Sequence, residues 1–239
     1  MNKSSIVTGA GSGVGRAVAL RMASEGWTVA LVGRTAASLD ETKQLAAGNS
    51  DRLHVYPCDI ADATAVDGVV AAVVKQFGTI AALINCAGTN IGKRSLEVVN
   101  SADFQQVIDT NLGGTFHFVR AVLPGMRSAN SGTIVNIVSD AGLIANAKAG
   151  PAYVASKFAV TGLTQSINTE ERARGIRACA IFPGDIATPL LDKRPVPPPA
   201  EARVKMLQPD DLADCVMLCV NLPARALVEQ LVIRPTVGG

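Results

Sequence analysis

The side chains in this sequence that are best placed to move a proton are Tyr153 and Lys157, which stand four residues apart in the segment PAYVASKFAV. A free phenol has a pKa near ~10, so at neutral pH it donates a proton and is rarely a phenolate. Residues four apart share one face of a helix, and a cation held there lowers the pKa of the phenol, so that it can also accept a proton. The spacing therefore indicates an acid/base pair, whereas each residue alone would be an ordinary surface lysine or a helix-start aromatic.

Two further polar residues stand where they would serve the same chemistry. Ser139 follows the apolar run GTIVNIV, and a hydroxyl at the carboxyl edge of a parallel sheet can hydrogen-bond a substrate oxygen. The same hydroxyl can instead satisfy a turn at the strand end. Asn111 interrupts a predicted helix over 103–127 beside Gly113 and Gly114, which predicts a local distortion, although an asparagine that caps or packs has the same pattern.

A glycine-rich turn follows the first predicted strand, with the sequence TGAGSGVGRAVAL. A strict G-x-G-x-x-G does not fit, and the pattern present is T-G-x-x-x-G-x-G. Glycines still allow a tight exit from the strand and a close approach of backbone and ligand, and the helix that follows directs free N–H groups at an anion. The turn therefore predicts a pyrophosphate site formed by Gly9, Ser12, Gly13, Val14 and Gly15. A turn that binds nothing, or one that binds S-adenosylmethionine, carries glycines as well.

The end of the second predicted strand distinguishes between dinucleotides. NAD sites place an acidic residue there for the ribose hydroxyls, whereas a nearby arginine accommodates a 2′-phosphate. The sequence VALVGRT puts Gly33 where the carboxylate would stand and Arg34 after it, so a phosphate meets no negative charge and gains a guanidinium. NADP(H) is therefore favoured over NAD(H), unless Arg34 is a solvated residue at a helix start.

These residues are positioned by short apolar runs that alternate with longer segments of helical period. The apolar runs predict strands over 5–8, 28–32, 53–57, 80–85, 132–139, 176–183 and 229–235. The β-α-β-α alternation predicts an α/β fold, with a parallel sheet and helices on both faces. A chain of 239 residues that is 48% hydrophobic predicts a single domain over 1–239. Closely spaced prolines in 190–209 predict either a plain connection or a lid over the ligand crevice.

Composition argues against several classes of function. The formal net charge of +2 gives no field that would attract nucleic acid or an anionic membrane. The five cysteines show no C-x-x-C spacing, and we expect Cys215 and Cys219, four apart on a predicted helix, to be packing residues and not metal ligands. No stretch approaches ~18 apolar residues and none resembles a secretion signal, so we expect a cytoplasmic protein.

The motifs TGAGSGVG, NCAG, DTNLGG, NIVSDAG, YVASK and FPGDIAT occur in the order and spacing of the short-chain dehydrogenase/reductase family, which the chain resembles. The resemblance implies a Rossmann-type, doubly wound sheet of about seven parallel strands. It implies a catalytic set of Asn111, Ser139, Tyr153 and Lys157, with Asn111 holding a water in a proton relay to Lys157. Beyond the glycine turn, the cofactor contacts that it implies are Asp59, Ile60, Asn85, Ala87, Gly88, Tyr153, Lys157, Pro183, Gly184, Ile186 and Thr188.

The same resemblance implies an assembly and a class of reaction. Helices over 104–126 and 153–173 would pack across a two-fold axis in a homodimer or homotetramer. His54 alternates within a strand and His117 lies on a helix that would face another subunit, so we expect neither histidine to be catalytic. We expect an NADP(H)-dependent enzyme that reduces a ketone or oxidises a secondary alcohol, a small molecule. The alternatives are a 3-oxoacyl-thioester reductase or a hydroxy-acid dehydrogenase within the family, and outside it a non-catalytic dinucleotide-binding or sensing protein.

Two features depart from the family pattern, and the substrate stays open. Cys86 replaces the usual second asparagine in NCAG, and the ending IRPTVGG differs from the family's common last strand and turn. We expect residues 89–95, 140–150 and 190–209 to line the substrate pocket. Their basic residues hint at an anionic or carrier-bound substrate, although solvated surface charge explains them as well: Lys93, Arg94, Lys148, Lys193 and Arg194.

Overall fold

The strands of this computed structural model, which describes residues 3–236, form one sheet. They are β1 (Ser4–Thr8), β2 (Thr28–Gly33), β3 (Leu53–Pro57), β4 (Ala82–Asn85), β5 (Gly132–Ile137), β6 (Ile176–Pro183) and β7 (Gln230–Ile233). Within the described residues the sheet has seven strands in the order β3-β2-β1-β4-β5-β6-β7, and every neighbouring pair is parallel. The predicted α/β fold with a doubly wound parallel sheet is confirmed.

Helices cover both faces of the sheet. They are α1 (Gly13–Ser24), α2 (Ala36–Gln44), α3 (Ala63–Phe77), α4 (Ser101–Ile108), α5 (Gly114–Ala129), α6 (Pro151–Glu171), α7 (Ala200–Arg203) and α8 (Pro209–Asn221). Helices α1, α2 and α8 bury apolar side chains on one face, and α3, α5 and α6 bury theirs on the other. The chain is therefore a single three-layer domain with apolar side chains packed on both faces of the sheet.

Continuous apolar runs form these strands because each strand is buried on both sides. Successive side chains of a strand point to opposite faces. In β1, Ile6 lies in the core of α3 and α5 while Val7 lies in the core of α1 and α8. The central strands β1, β2 and β4 are almost wholly inaccessible, which explains why their positions are predictable from hydrophobicity alone.

The predicted strands agree with the observed ones except at a few ends. Strand β5 ends at Ile137 and not at Ser139, although Val138 still donates a hydrogen bond to the Ile181 carbonyl. The C-terminal departure from the family pattern does not remove the last strand, since β7 pairs with β6 from Gln230 to Ile233. The final part of IRPTVGG, residues 237–239, lies outside the described residues.

A turn of π-helix joins α4 to α5 at Asp109–Gly113. Its centre is Asn111, which is 1% exposed. The distortion predicted from Asn111 and the two glycines after it is confirmed. A π-turn adds one residue to a helix and is common at functional sites, which directs attention to the side chains beside it.

Helices α5 and α6 are held together at their carboxyl ends by Glu171. Its carboxylate is 2% exposed and accepts hydrogen bonds from Arg127 at 3.0 and 2.5 Å and from Arg174 at 3.0 Å. A buried carboxylate is stable only with such partners. The ion pair of Glu171 with Arg127 on α5 fixes α6 at the end remote from Tyr153 and Lys157.

Two smaller expectations concern the cysteines and the membrane. Cys219 is 3% exposed and packs with half-buried Cys215 in the core of α1 and α8, which confirms them as packing residues. From residue 3 to residue 236, none of the helices combines the length and the apolar character needed to cross a bilayer.

Candidate active site

A cavity of about 480 Å³ opens at the carboxyl ends of the central strands. The strand order reverses between β1 and β4, and doubly wound sheets bind ligands in the crevice at such a reversal. The loops that follow these strands stand on either side of it. Thr8, the last residue of β1, ties the two loops, because its hydroxyl accepts hydrogen bonds from the N–H groups of Cys86 and Ala87.

The glycine turn lines one end of the cavity and leaves no room for side chains. A Cβ on Gly15 would lie 2.3 Å from the carbonyl oxygen of Gly9, and one on Gly9 would lie 2.9 Å from Ala87. Gly9 and Gly13 also have φ of +67° and +50°, which favour glycine. Both observations explain why glycine occupies these positions.

The first N–H groups of α1 are free to meet an anion at this turn. Ser12 is the N-cap, but its side chain makes no capping hydrogen bond within the described residues, and the first turn of the helix has no acidic residue. The N–H groups at the start of a helix have no partners inside it and carry a partial positive charge. The residues present therefore fit the pyrophosphate of a dinucleotide.

Tyr153 and Lys157 lie in the first two turns of α6 and both line the cavity. Pro151 occupies the start of the helix, where a missing N–H costs nothing. Lys157 is 5% exposed, and its ammonium donates to the Ile137 carbonyl at 3.0 Å and lies 5.5 Å from the centre of the Tyr153 ring. The strand end thus holds the cation beside the phenol.

Ser139 lies across the cavity from α6, two residues beyond the end of β5. Its hydroxyl accepts from the Ala141 N–H and donates to the Asp140 carboxylate, both at 3.1 Å, and it lies within hydrogen-bonding reach of the Tyr153 phenol. The serine therefore satisfies a turn and also faces the tyrosine, while its hydrogen bond to a substrate oxygen stays a prediction.

Burial controls the protonation of the pair. It raises the pKa of the Tyr153 phenol to about 12, against the hydrogen bond with Ser139 and the charges of Arg194 and Arg94, which act to lower it. Burial also lowers the pKa of Lys157 to about 8. The lowering of the phenol pKa that the sequence predicts, from Lys157 together with an oxidised nicotinamide, stays a prediction. At neutral pH the phenol is protonated.

Asn111 is buried behind the cavity, where its side chain links two of the segments that form the site. Its side chain accepts from the Thr89 N–H at 2.7 Å and donates to the Thr89 carbonyl and the Ser156 hydroxyl, each at 3.0 Å. The side chain therefore bonds to the loop after β4 and to α6, and not to Lys157. The proton relay through Asn111 stays a prediction.

Most of the residues predicted from the sequence meet at the cavity. Those that line it are Gly9, Ser12, Gly13, Val14, Gly15, Ala87, Gly88, Ser139, Tyr153, Lys157, Pro183, Gly184, Ile186 and Thr188. Gly13 and Thr188 come from distant segments, yet a Cβ on the glycine would lie 3.1 Å from the threonine methyl group. The first and last cofactor motifs therefore share one surface.

The other predicted residues lie outside the cavity lining. Asn111 is buried behind it, and Arg34 and Asp59 are exposed beyond its edge. Asn85 is buried, with its amide donating to the Asn136 side chain at 2.9 Å. Ile60 packs against Gly114, and its carbonyl bonds His117 at 3.1 Å. His117 therefore contacts its own chain, and the packing of its helix against another subunit stays a prediction.

Residues beyond the sequence motifs complete the cavity. Asn90 and Arg94 enter from the loop after β4, and both are buried. Arg234 and Pro235 reach it from the end of β7. Their sequence gives no signal for this position, because only the order of the strands brings the end of β7 beside the end of β6.

The proline-rich segment 190–209 contributes to the lining of this cavity. Leu190, Leu191 and Arg194 line it, and Arg194 forms an ion pair with Asp185. The segment returns to its starting point, where Ile186 and Leu207 form a β-bridge. It therefore contains short helical turns and fixed contacts, with α7 among them.

A doubly wound sheet, a glycine turn at the strand reversal and a tyrosine–lysine pair at the same crevice define a nucleotide-dependent oxidoreductase of the α/β class. Comparison with known proteins agrees. The family described as short chain dehydrogenase matches residues 3–196. An uncharacterized oxidoreductase from Staphylococcus haemolyticus is 32% identical over 96% of both chains. The short-chain reductase protein NovJ from Streptomyces niveus is 39% identical over 79% of this chain and 71% of its own.

A solved structure matches almost the full length. The closed form of serine dehydrogenase complexed with NADP+ is 29% identical, covers 99% of this chain and 96% of its own, and has a TM-score of 0.90. The chain belongs to the short-chain dehydrogenase family.

Proposed function

We propose that the protein transfers a hydride between NADP(H) and a ketone or secondary alcohol, with Tyr153 as the general acid and base. The observation that carries the proposal is the position of Tyr153. Its phenol faces the same cavity as the glycine turn, within hydrogen-bonding reach of Ser139 and beside the ammonium of Lys157. Those are the groups that a carbonyl needs to be polarised and protonated.

Tyr153, Ser139 and Lys157 would have separate roles in this reaction. Protonated at neutral pH, Tyr153 donates its proton to the carbonyl oxygen during reduction and takes it back during alcohol oxidation. Ser139 hydrogen-bonds that same oxygen and so orients it toward the phenol. The positive charge of Lys157 favours the phenolate that is left, and the Ile137 carbonyl keeps the ammonium in place.

The dinucleotide is proposed to be NADP(H). Gly9 to Gly15 and the start of α1 would hold its pyrophosphate, and Arg34 would pair with the 2′-phosphate. When bound, the dinucleotide supplies the hydride donor or acceptor. The NADP complexes among the matching structures support this assignment. The matching serine dehydrogenase and NovJ support a reaction at a hydroxyl or carbonyl group.

The test is the Tyr153→Phe variant. Removing the phenolic oxygen removes the proton that the reaction needs, so NADPH oxidation at 340 nm with a panel of ketones should fall by about 10²- to 10⁴-fold. NADPH affinity, measured by fluorescence titration, should change little. Tyr56→Phe is the matched control, since Tyr56 lies on β3 with its hydroxyl bonded to Gln76. Turnover retained in Tyr153→Phe would refute the mechanism.

We further propose how the protein is assembled and where it works. Phe116 on α5 and Phe158 on α6 are 47% and 44% exposed, which supports these helices as the faces that pair in a homodimer or homotetramer.

All five cysteines are free thiols, which supports a reducing, cytoplasmic location. The segment 190–209 would serve as the lid over the substrate.

A further inference from the structure

The cavity contains a buried guanidinium close to the reacting phenol. Arg94 lies in the loop after β4, lines the cavity together with Tyr153 and is 7% exposed. Its backbone is fixed by Gly150, where a Cβ would lie 2.4 Å from the Arg94 carbonyl oxygen. Each of these two side chains affects the pKa of the other, which places the charge near the site of proton transfer.

The hydrogen bonds of Arg94 leave its charge without a counter-ion. Nη2 donates to the Lys193 carbonyl at 2.6 Å, and Nη1 makes one long bond to the Lys148 carbonyl at 3.4 Å. Nε has no acceptor among residues 3–236, and no carboxylate in that range forms an ion pair with this arginine. A buried cation is costly unless an anion pairs with it.

The other basic residues that the sequence places around the substrate differ from Arg94. Lys93, Lys148 and Lys193 are exposed, where water compensates their charge. Arg194 lines the cavity but is already paired with Asp185. Arg94 is the one of the five that is buried and uncompensated within the described residues.

The acidic groups of the cavity are also accounted for. The Asp185 carboxylate binds Arg194, and the Asp140 carboxylate accepts the hydroxyl of Ser139. Neither bonds to Arg94. The carboxylates of the cavity therefore leave the charge of Arg94 open to an anionic ligand.

We propose that Arg94 binds the carboxylate of the substrate, which makes the substrate a short hydroxy acid or the corresponding oxo acid. A guanidinium pairs well with a carboxylate, whereas an acyl thioester offers no charge at this position. The inference rests on the proposed function and adds no covalent step. In the oxidation direction the hydroxyl would lose its proton to the phenolate form of Tyr153, the carbinol carbon would lose a hydride to the oxidised dinucleotide, and the carboxylate stays unchanged.

The test measures binding, so that it does not depend on turnover. The NADP+-loaded protein is titrated calorimetrically with hydroxy acids of three to six carbons and with their methyl esters. A hydrogen-bonded charge should make the best acid bind about 10- to 100-fold more tightly than its ester. Arg94→Met should remove this preference and leave ester binding nearly unchanged, while Arg94→Lys should keep part of it. Lys93→Met, which removes the exposed neighbouring cation, should keep all of it.

Three results would overturn the inference. In the first, none of the acids binds better than its ester to the wild-type protein, a comparison that needs no variant to fold. In the second, the preference survives Arg94→Met. In the third, Arg94→Met weakens acid and ester equally, which would make Arg94 only a clamp on the lid through Lys193.

Failure of the proposed function gives a different pattern. If acids bind through Arg94 but no NADPH forms at 340 nm, the reaction assignment fails and the carboxylate site stands. If esters are oxidised through Tyr153 with no preference for acids, the reaction assignment stands and the carboxylate site fails.

Discussion

Glu171→Gln removes one buried negative charge from the junction of α5 and α6 and keeps the size of the side chain. Hydrogen bonds from Arg127 and Arg174 lower the pKa of Glu171 to about 2 from an ordinary 4.5. A shift of that size corresponds to about 3 kcal/mol of folding free energy. Because the two arginines are 42% and 54% exposed, water screens the interaction, and we expect the variant to lose about 1.5 kcal/mol at pH 7.

The pH dependence separates the charge from the packing. A carboxyl group whose pKa is lower in the folded state stabilises fully above its unfolded pKa, and that stabilisation is lost as the pH falls toward the folded pKa. The difference between wild type and Glu171→Gln should therefore be constant above about pH 5 and shrink between pH 4.5 and 2.

The measurement is urea unfolding followed by circular dichroism, at equal protein concentration because assembly shifts apparent stability. Asp67→Asn is the control, since Asp67 and its partner Arg120 are each about half exposed and their pair should contribute less than about 0.5 kcal/mol. A variant as stable as wild type at pH 7, or a difference that does not change with pH, would refute the reasoning.

Two further predictions concern the dinucleotide. Arg34→Asp should weaken NADPH binding at least about 10-fold and leave NADH nearly unaffected in fluorescence titrations, because only NADPH carries the 2′-phosphate; an equal effect on both would rule out the assignment of Arg34. Gly15→Ala should abolish dinucleotide binding in the same assay, since its Cβ would lie 2.3 Å from the Gly9 carbonyl oxygen. Gly162→Ala is the control for Gly15→Ala, because no described atom apart from its chain neighbours and the backbone of its own helix lies within 4 Å of its Cβ, and binding should be retained. Normal binding by Gly15→Ala would show that the glycine turn does not hold the pyrophosphate of the dinucleotide.

The fold was predictable because its signals are local. Strand β2 was expected over 28–32 and spans Thr28–Gly33, since a strand buried on both faces must be apolar at every position. The distortion at Asn111 was predictable for the same reason, because the asparagine and two glycines lie within four residues of one another.

The partners of these residues were not predictable, since they come from distant segments. Asn111 bonds to Thr89, which lies 22 residues earlier, and to Ser156, which lies 45 residues later. Neither spacing leaves a periodic signal in the sequence.

The electrostatics of the site depend on burial, which the sequence gives only indirectly. Burial raises the pKa of the Tyr153 phenol to about 12 in the protein alone, an effect that the four-residue spacing of Tyr153 and Lys157 does not reveal. Likewise, the five basic residues around the substrate look equivalent in sequence. Only their surroundings distinguish Arg94, whose acceptors are two carbonyl groups and not a carboxylate.

The β-bridge between Ile186 and Leu207 closes residues 187–206 into a loop whose two ends are adjacent. Leu207 donates to the Asp185 carbonyl at 3.0 Å, and Ala187 donates to the Leu207 carbonyl at 2.8 Å, so the segment leaves and re-enters the domain at one point. The entropy of closing such a loop grows slowly, by about 0.6 kcal/mol for each doubling of its length. An insertion after Leu190 is therefore inexpensive and leaves in place Thr188, which lies against Gly13 of the glycine turn.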